Sequence, residues 1–92
     1  MTERSPYRVE LSRNAQRQLK RLPARDAAAL RGPILALGWV QRPPGATRLP
    51  DRDYWRLRIG ELRIIYAIDD KRLLVIVLRV ARRNEQTYRG LR

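Results

Sequence analysis

The stretch YWRLRIGELRIIYAI, residues 54 to 68, interleaves arginine with apolar residues on both sides of Gly60-Glu61. That alternation is the period of a β-strand with one buried and one polar face. Glycine at the first central position of a two-residue connection suits a type II′ turn, whose twist matches that of a hairpin. Given that turn, Ile59 pairs with Leu62, Arg58 with Arg63, Leu57 with Ile64, Arg56 with Ile65 and Trp55 with Tyr66. One face then carries Trp55, Leu57, Ile59, Leu62, Ile64 and Tyr66; the other carries Tyr54, Arg56, Arg58 and Arg63. A slip of one residue would drive three arginines into the core, so the charges fix the register. The apolar face must be covered by another part of the chain.

The cover lies upstream. YRVEL, residues 7 to 11, alternates as an opening strand. Ser12 is placed to cap a helix in which Ala15, Leu19 and Leu22 share one side, with Arg13, Arg17, Gln18, Lys20 and Arg21 on the other. Pro23 ends it. A second helix is expected from near Ala24 to about Val40, with Ala27, Leu30, Ile34 and Leu37 as its apolar set and Trp39 packed on the sheet. Gly32-Pro33 predicts a kink or break within it. QRPPGATRLPDRD, residues 41 to 53, reads as the one long loop. Strands follow at about 54–59, 62–68 and 73–80. The last of them, LLVIVLRV, is apolar on both faces and so is expected to be central. From Arg82 onward the tail reads as a short helix or irregular chain. The expectation is an α+β fold over residues 1–92 as one domain. It is an antiparallel-rich four-stranded sheet with an N-terminal two-helix hairpin packed on one face, in the order β-α-α-β-β-β.

Charge narrows the function. The 92 residues include 21 Lys and Arg against 9 Asp and Glu, a net charge of +12. A surface so positive favours a polyanionic partner, with nucleic acid the best fit and an anionic membrane or acidic protein next. There is no cysteine and no histidine, which removes the thiolate metal site, the usual metal ligand and the usual general acid/base. Asp69-Asp70 reads as a turn former, and no metal site is expected. The longest apolar run, Leu73 to Leu78, is too short to cross a bilayer. MTERSPYR has no apolar h-region, so no signal peptide, no membrane association and a cytoplasmic location are expected.

Arginine's planar fork matches phosphate oxygens bidentately. The hairpin arginines Arg56, Arg58 and Arg63 therefore suit a phosphodiester, with Tyr54 at their edge. RVARR brings Arg79, Arg82 and Arg83 to one end of the sheet, and Tyr88 and Arg89 follow closely. Arg58 and Arg63 face each other across the ladder, where like charges destabilise by ~0.2–1 kcal/mol; water or an anion must compensate. Trp55 and Tyr66 share the apolar face and read as core residues.

WRLRIGELRIIYAIDD, then LLVIVLRVARR, then TYR, with LSRNAQRQLKRLP as first helix, resembles the RelE branch of the RelE/ParE toxin superfamily from Tyr7 to about Arg89. The resemblance implies the toxin half of a bacterial type II toxin–antitoxin pair. It implies an endoribonuclease that cuts mRNA in the ribosomal A site without a metal or other cofactor. The 2′-hydroxyl attacks the neighbouring phosphate and leaves a cyclic phosphate and a 5′-hydroxyl. By position, Arg56 and Arg58 would contact the RNA and help the attack, Arg63 would stabilise the phosphate, Arg83 would serve the leaving group and Tyr88 would stack on a base or orient the 2′-hydroxyl. Tyr54, Arg79, Arg82 and Arg89 would bind RNA around them. Relatives often carry lysine at the positions of Arg56 and Arg58, and arginine cannot give up its proton. Alignment and electrostatics then carry the attack, or a glutamate such as Glu61 or Glu85 assists. The implied partners are an acidic cognate antitoxin, the ribosome and mRNA, with operator DNA reached only through the antitoxin complex. The alternative within the superfamily is a ParE-like inhibitor of DNA gyrase that performs no chemistry; a plain RNA-binding module is a third.

Overall fold

A computed structural model describes residues 5–50 and 53–82. The elements run β1 (Arg8–Leu11), α1 (Arg13–Arg21), α2 (Ala24–Ala36), β2 (Thr47–Arg48), β3 (Tyr54–Ile59), β4 (Leu62–Asp69) and β5 (Leu74–Arg82). The strands form one sheet in the order β1-β5-β4-β3-β2. β1 runs parallel to β5, and every other neighbouring pair is antiparallel. The sheet thus has five strands among the described residues, not four. The extra one lies in the proline-rich segment, where Thr47 and Arg48 pair with Arg56 and Trp55 on the outer edge of β3.

The β3–β4 ladder has the register that its charges demand, from Ile59↔Leu62 to Trp55↔Tyr66. Gly60 has φ +60°, and Glu61 is not among the residues of positive φ. Positive φ at the first central position alone is the type II′ signature. Both helices lie over the apolar face. Ala15 of α1 and Leu30, Ile34 and Leu37 from α2 and its C-cap meet Leu57, Leu62, Ile64, Tyr66, Val75, Val77 and Val80 in one buried cluster.

Ser12 caps α1 as its sequence suggests: its hydroxyl oxygen accepts from the Ala15 N–H at 3.0 Å. The second helix departs from expectation. It continues through Gly32-Pro33 without a break and stops at Ala36, short of Val40. The N-terminal segment passes too close for it to go on. The Tyr7 N–H donates to the Gly38 carbonyl at 3.0 Å, and a Cβ at Gly38 would lie 2.5 Å from the Ser5 Oγ. Only glycine admits that approach. Trp39, expected to pack on the sheet, instead stands 50% exposed beyond the helix end. Gln18 also differs from the reading that put it with the outward-facing cations, for it is half-buried against β5.

Candidate nucleic-acid interface

The face of the sheet away from the helices is built in rows. One row is Arg58↔Arg63↔Ala81 and the next is Arg56↔Ile65↔Arg79, crossing β3, β4 and β5. Ile59 and Leu62 close the turn as a hydrogen-bonded pair. Arg58 and Arg63 are therefore a non-hydrogen-bonded pair, with Cα atoms about 4.5 Å apart and side chains close. Adjacent rows lie two residues apart, about 6.8 Å along the strand. Arg58 and Arg79 are exposed, and Arg56 and Arg63 are half-buried. Ala81 contributes only a methyl group, which leaves room beside Arg63.

Arg79 reaches this face through a β-bulge. Ile65 pairs with Arg79 but the next residue, Tyr66, pairs with Val77, so Leu78 is an extra residue in β5. Before the bulge Val75 and Val77 point into the core; after it Val80 does. Strict alternation from Val75 and Val77 would have turned Arg79 inward. The inserted residue shifts the parity and turns it out, the usual effect of a bulge on a side chain.

The same shift sends Arg82 to the helix face. It is paired with Leu62 across the ladder and forms an ion pair at 2.6 Å with Asp26 of α2. Asp26 is the buried charged residue among those described, 8% exposed. Arg82, placed beside Arg79 in the sequence reading, is thus separated from the arginine face. Tyr54 stays on that face, opposite Ala67 at the far end of β3. Arg83, Tyr88, Arg89 and Glu85 lie outside the described residues.

Of the described acidic residues, all but Glu61 are committed elsewhere. Ion pairs among the described residues include Arg8–Glu10, Arg42–Asp70, Arg48–Asp53, Arg72–Asp69 and Arg82–Asp26. Among the described residues none pairs with Arg56, Arg58, Arg63 or Arg79. The Arg63 Nε is buried and has no hydrogen-bond partner among them. Such an orphaned donor is costly unless something accepts from it. The aspartates at the β4–β5 turn serve structure. The Asp69 carboxylate accepts from the Arg72 N–H at 3.1 Å. Asp70 accepts from the Tyr7 hydroxyl at 2.6 Å and from Arg42 at 3.0 Å. The Tyr7 hydrogen bond, then the Arg42 one, holds the Asp70 carboxyl below its ordinary range, and the same bond to Asp70 raises Tyr7. Arg42 also lies over the Trp55 ring, 5.5 Å from its centroid. Among the described residues no three His, Cys, Asp or Glu side chains gather as metal ligands, and no helix is long and apolar enough to cross a membrane.

Two core aromatics behave as expected. Tyr66 is fully buried, and its hydroxyl donates to the Gln41 carbonyl at 2.8 Å. Burial pushes its pKa up to about 12, so it does not act as a base near neutral pH. Trp55 is partly buried against the core.

Comparison with known proteins gives the chain a lineage. Residues 9–87 match the family model described as ParE toxin of type II toxin-antitoxin system, parDE. The chain belongs to the RelE/ParE toxin superfamily. It is 34% identical to the toxin RelE of Mycobacterium tuberculosis, over 91% of this chain and 89% of that one. It is 35% identical to the toxin RelG of the same organism, over 85% of this chain and 92% of that one. The fold is shared with the RelBE2 toxin–antitoxin complex of M. tuberculosis at a TM-score of 0.76 and 30% identity, covering 88% of this chain and 95% of that chain. The archaeal RelE–RelB complex of Pyrococcus horikoshii has the same fold at a TM-score of 0.72 and 21% identity, covering 86% and 97%. The fold described above is thus one that these RelE toxins share.

Proposed function

We propose that this RelE/ParE toxin cleaves mRNA in the ribosomal A site as a ribosome-dependent endoribonuclease. The observation that carries the reading is the arginine face: Arg56, Arg58, Arg63 and Arg79 on three adjacent strands, with no acidic partner among the described residues. The closest chemical match is an RNA phosphodiester bent across the two rows. The 2′-oxygen attacks the adjacent phosphorus as its proton passes to water, and the bond to the 5′-oxygen breaks as that oxygen takes a proton from water. A 2′,3′-cyclic phosphate and a 5′-hydroxyl result. Charge gathers on the non-bridging oxygens in the transition state, where fixed guanidinium groups act most strongly. Arg63 is assigned to those oxygens, because its buried Nε is an unused donor. Arg56 and Arg58 hold the strand and align the hydroxyl, Arg79 and Tyr54 bind the flanking RNA, and Arg83, Tyr88 and Arg89 serve as the resemblance implies. Guanidinium does not deprotonate the hydroxyl, so the attack runs on alignment and electrostatics, with Glu61 at the turn the nearest carboxylate along the hairpin. Arg82 is left to Asp26.

The natural partner of so positive a toxin is an acidic antitoxin, in line with the antitoxin complexes among its structural relatives. A second reading, gyrase inhibition without chemistry, is favoured by the ParE description of the matching family model. Purified toxin added to a translating extract, with mRNA 5′-ends mapped, separates the two. Cuts within A-site codons support cleavage. Intact mRNA, with double-strand DNA breaks in cells expressing the toxin, supports gyrase as the target.

A further inference from the structure

The strand that delivers Arg79 is not held there by another strand. β1 pairs with β5 only from Leu74 to Val77. Beyond Val77, two side chains of the α1 segment, its N-cap Ser12 and Gln18 in its second half, take over the outer edge of β5. The Ser12 hydroxyl donates to the Leu78 carbonyl at 3.1 Å. The Gln18 side-chain carbonyl accepts from the Val80 N–H at 2.8 Å. These two bonds bracket Arg79, one on the residue before it and one on the residue after. They also sit on the bulge, where Leu78 has no partner in β4. Without them the edge would have a free acceptor and a free donor at its irregular point, and β5 could revert to regular alternation with Arg79 turned toward the helices.

From this geometry we infer that Gln18 is a positioning residue for the arginine face, locking with Ser12 the bulge that turns Arg79 outward. The inference rests on reading that face as an RNA-contacting surface, and it identifies what holds one member in place. Gln18 touches no RNA. It acts through the β5 backbone. Its place explains a glutamine among the arginines and lysine of α1: a long neutral acceptor reaches the strand edge, whereas an arginine there would present donors to a donor.

The test compares Gln18→Met, which keeps length and helix propensity but removes the acceptor, with Gln18→Glu, which keeps the acceptor. The probe is a fluorescent twelve-nucleotide single-stranded RNA titrated at several salt concentrations. Each phosphate contact on a single strand contributes about 0.7 to the slope of log affinity against log salt. Arg79→Ala should lower the slope by about that amount, which is roughly a fourfold loss of affinity at 0.15 M salt. Gln18→Met should reproduce that loss, with faster hydrogen exchange at the Val80 amide, while Gln18→Glu keeps both at the wild-type level. In an Arg79→Ala background, Gln18→Met should cost nothing further. A wild-type slope in Gln18→Met, or an additional loss on top of Arg79→Ala, overturns the inference, and so does a wild-type slope in Arg79→Ala itself. Cleavage is read separately in the translating extract. If wild-type toxin leaves mRNA intact there, the ribonuclease reading fails while the slope comparison still decides the role of Gln18.

Discussion

The two faces of the one sheet solve opposite problems. The helix face buries Ile64, Tyr66, Val75 and Val77 completely, and it neutralises the buried Asp26 with Arg82. The opposite face gathers Arg56, Arg58, Arg63 and Arg79 and neutralises none of them among the described residues. Folding drives the first arrangement, because burial of apolar area is the dominant favourable term. Folding does not drive the second, since facing arginines repel. A set of charges that stability would disperse, held together on a rigid sheet, is what function at a polyanion requires.

That comparison can be broken from either side. The largest expected effect is on the helix face: Ile64→Ala should cost about 2–5 kcal/mol, a cavity in a closed core. Leu57→Ala should fall in the same range, read by denaturant melts. Arg63→Ala should do the reverse, with an unchanged or slightly higher melting temperature and cleavage down by about 10²–10³-fold, the usual loss for one preorganised donor. A destabilised Arg63→Ala that still cleaves would show that the facing pair is structural. Next comes Asp26→Asn. The Arg82 side chain is 49% exposed and can return to water, so the expected cost is about 1–2 kcal/mol, less than for a fully buried pair. RNA affinity in that variant should stay at the wild-type level, because Arg82 belongs to the other face. The smallest effect is Tyr66→Phe, about 1 kcal/mol at neutral pH for the lost bond to the Gln41 carbonyl. Its pH dependence is sharper. The folded pKa is raised to about 12, so Tyr66 supports the fold fully below its unfolded value near 10, and that support drains away as pH rises through 12. Alkaline melts of Tyr66→Phe should show a flatter decline over that window.

Legibility in the sequence followed the charges. The β3–β4 register could be read because arginine marks one face at every second position. The parity of β5 could not, because LLVIVL is apolar on both faces and carries no alternation to betray an inserted residue. Arg79 and Arg82 therefore looked like neighbours on one surface and are in fact on opposite ones. β2 escaped notice because two residues between prolines leave no period to detect. The early end of α2 depends on the Ser5 to Tyr7 segment crossing Gly38, a contact between distant parts of the chain. Gln18 was read by its polarity, which is right for a surface helix and blind to a strand edge within reach. The RelE/ParE resemblance anticipated the lineage from the order of these pieces, not from any one of them.

The parallel pairing of β1 with β5 sets residue 8 beside residue 74. Closing so long a loop is slow and entropically costly, whereas the β3–β4 hairpin closes locally within microseconds. Folding therefore has a natural order: the hairpin with Arg56, Arg58 and Arg63 can form early, but Arg79 joins it only after almost the whole described chain has been made. The strand edge beside Arg79 is held by Ser12 and Gln18, so the fourth arginine is fixed only once the two ends of the described chain have met.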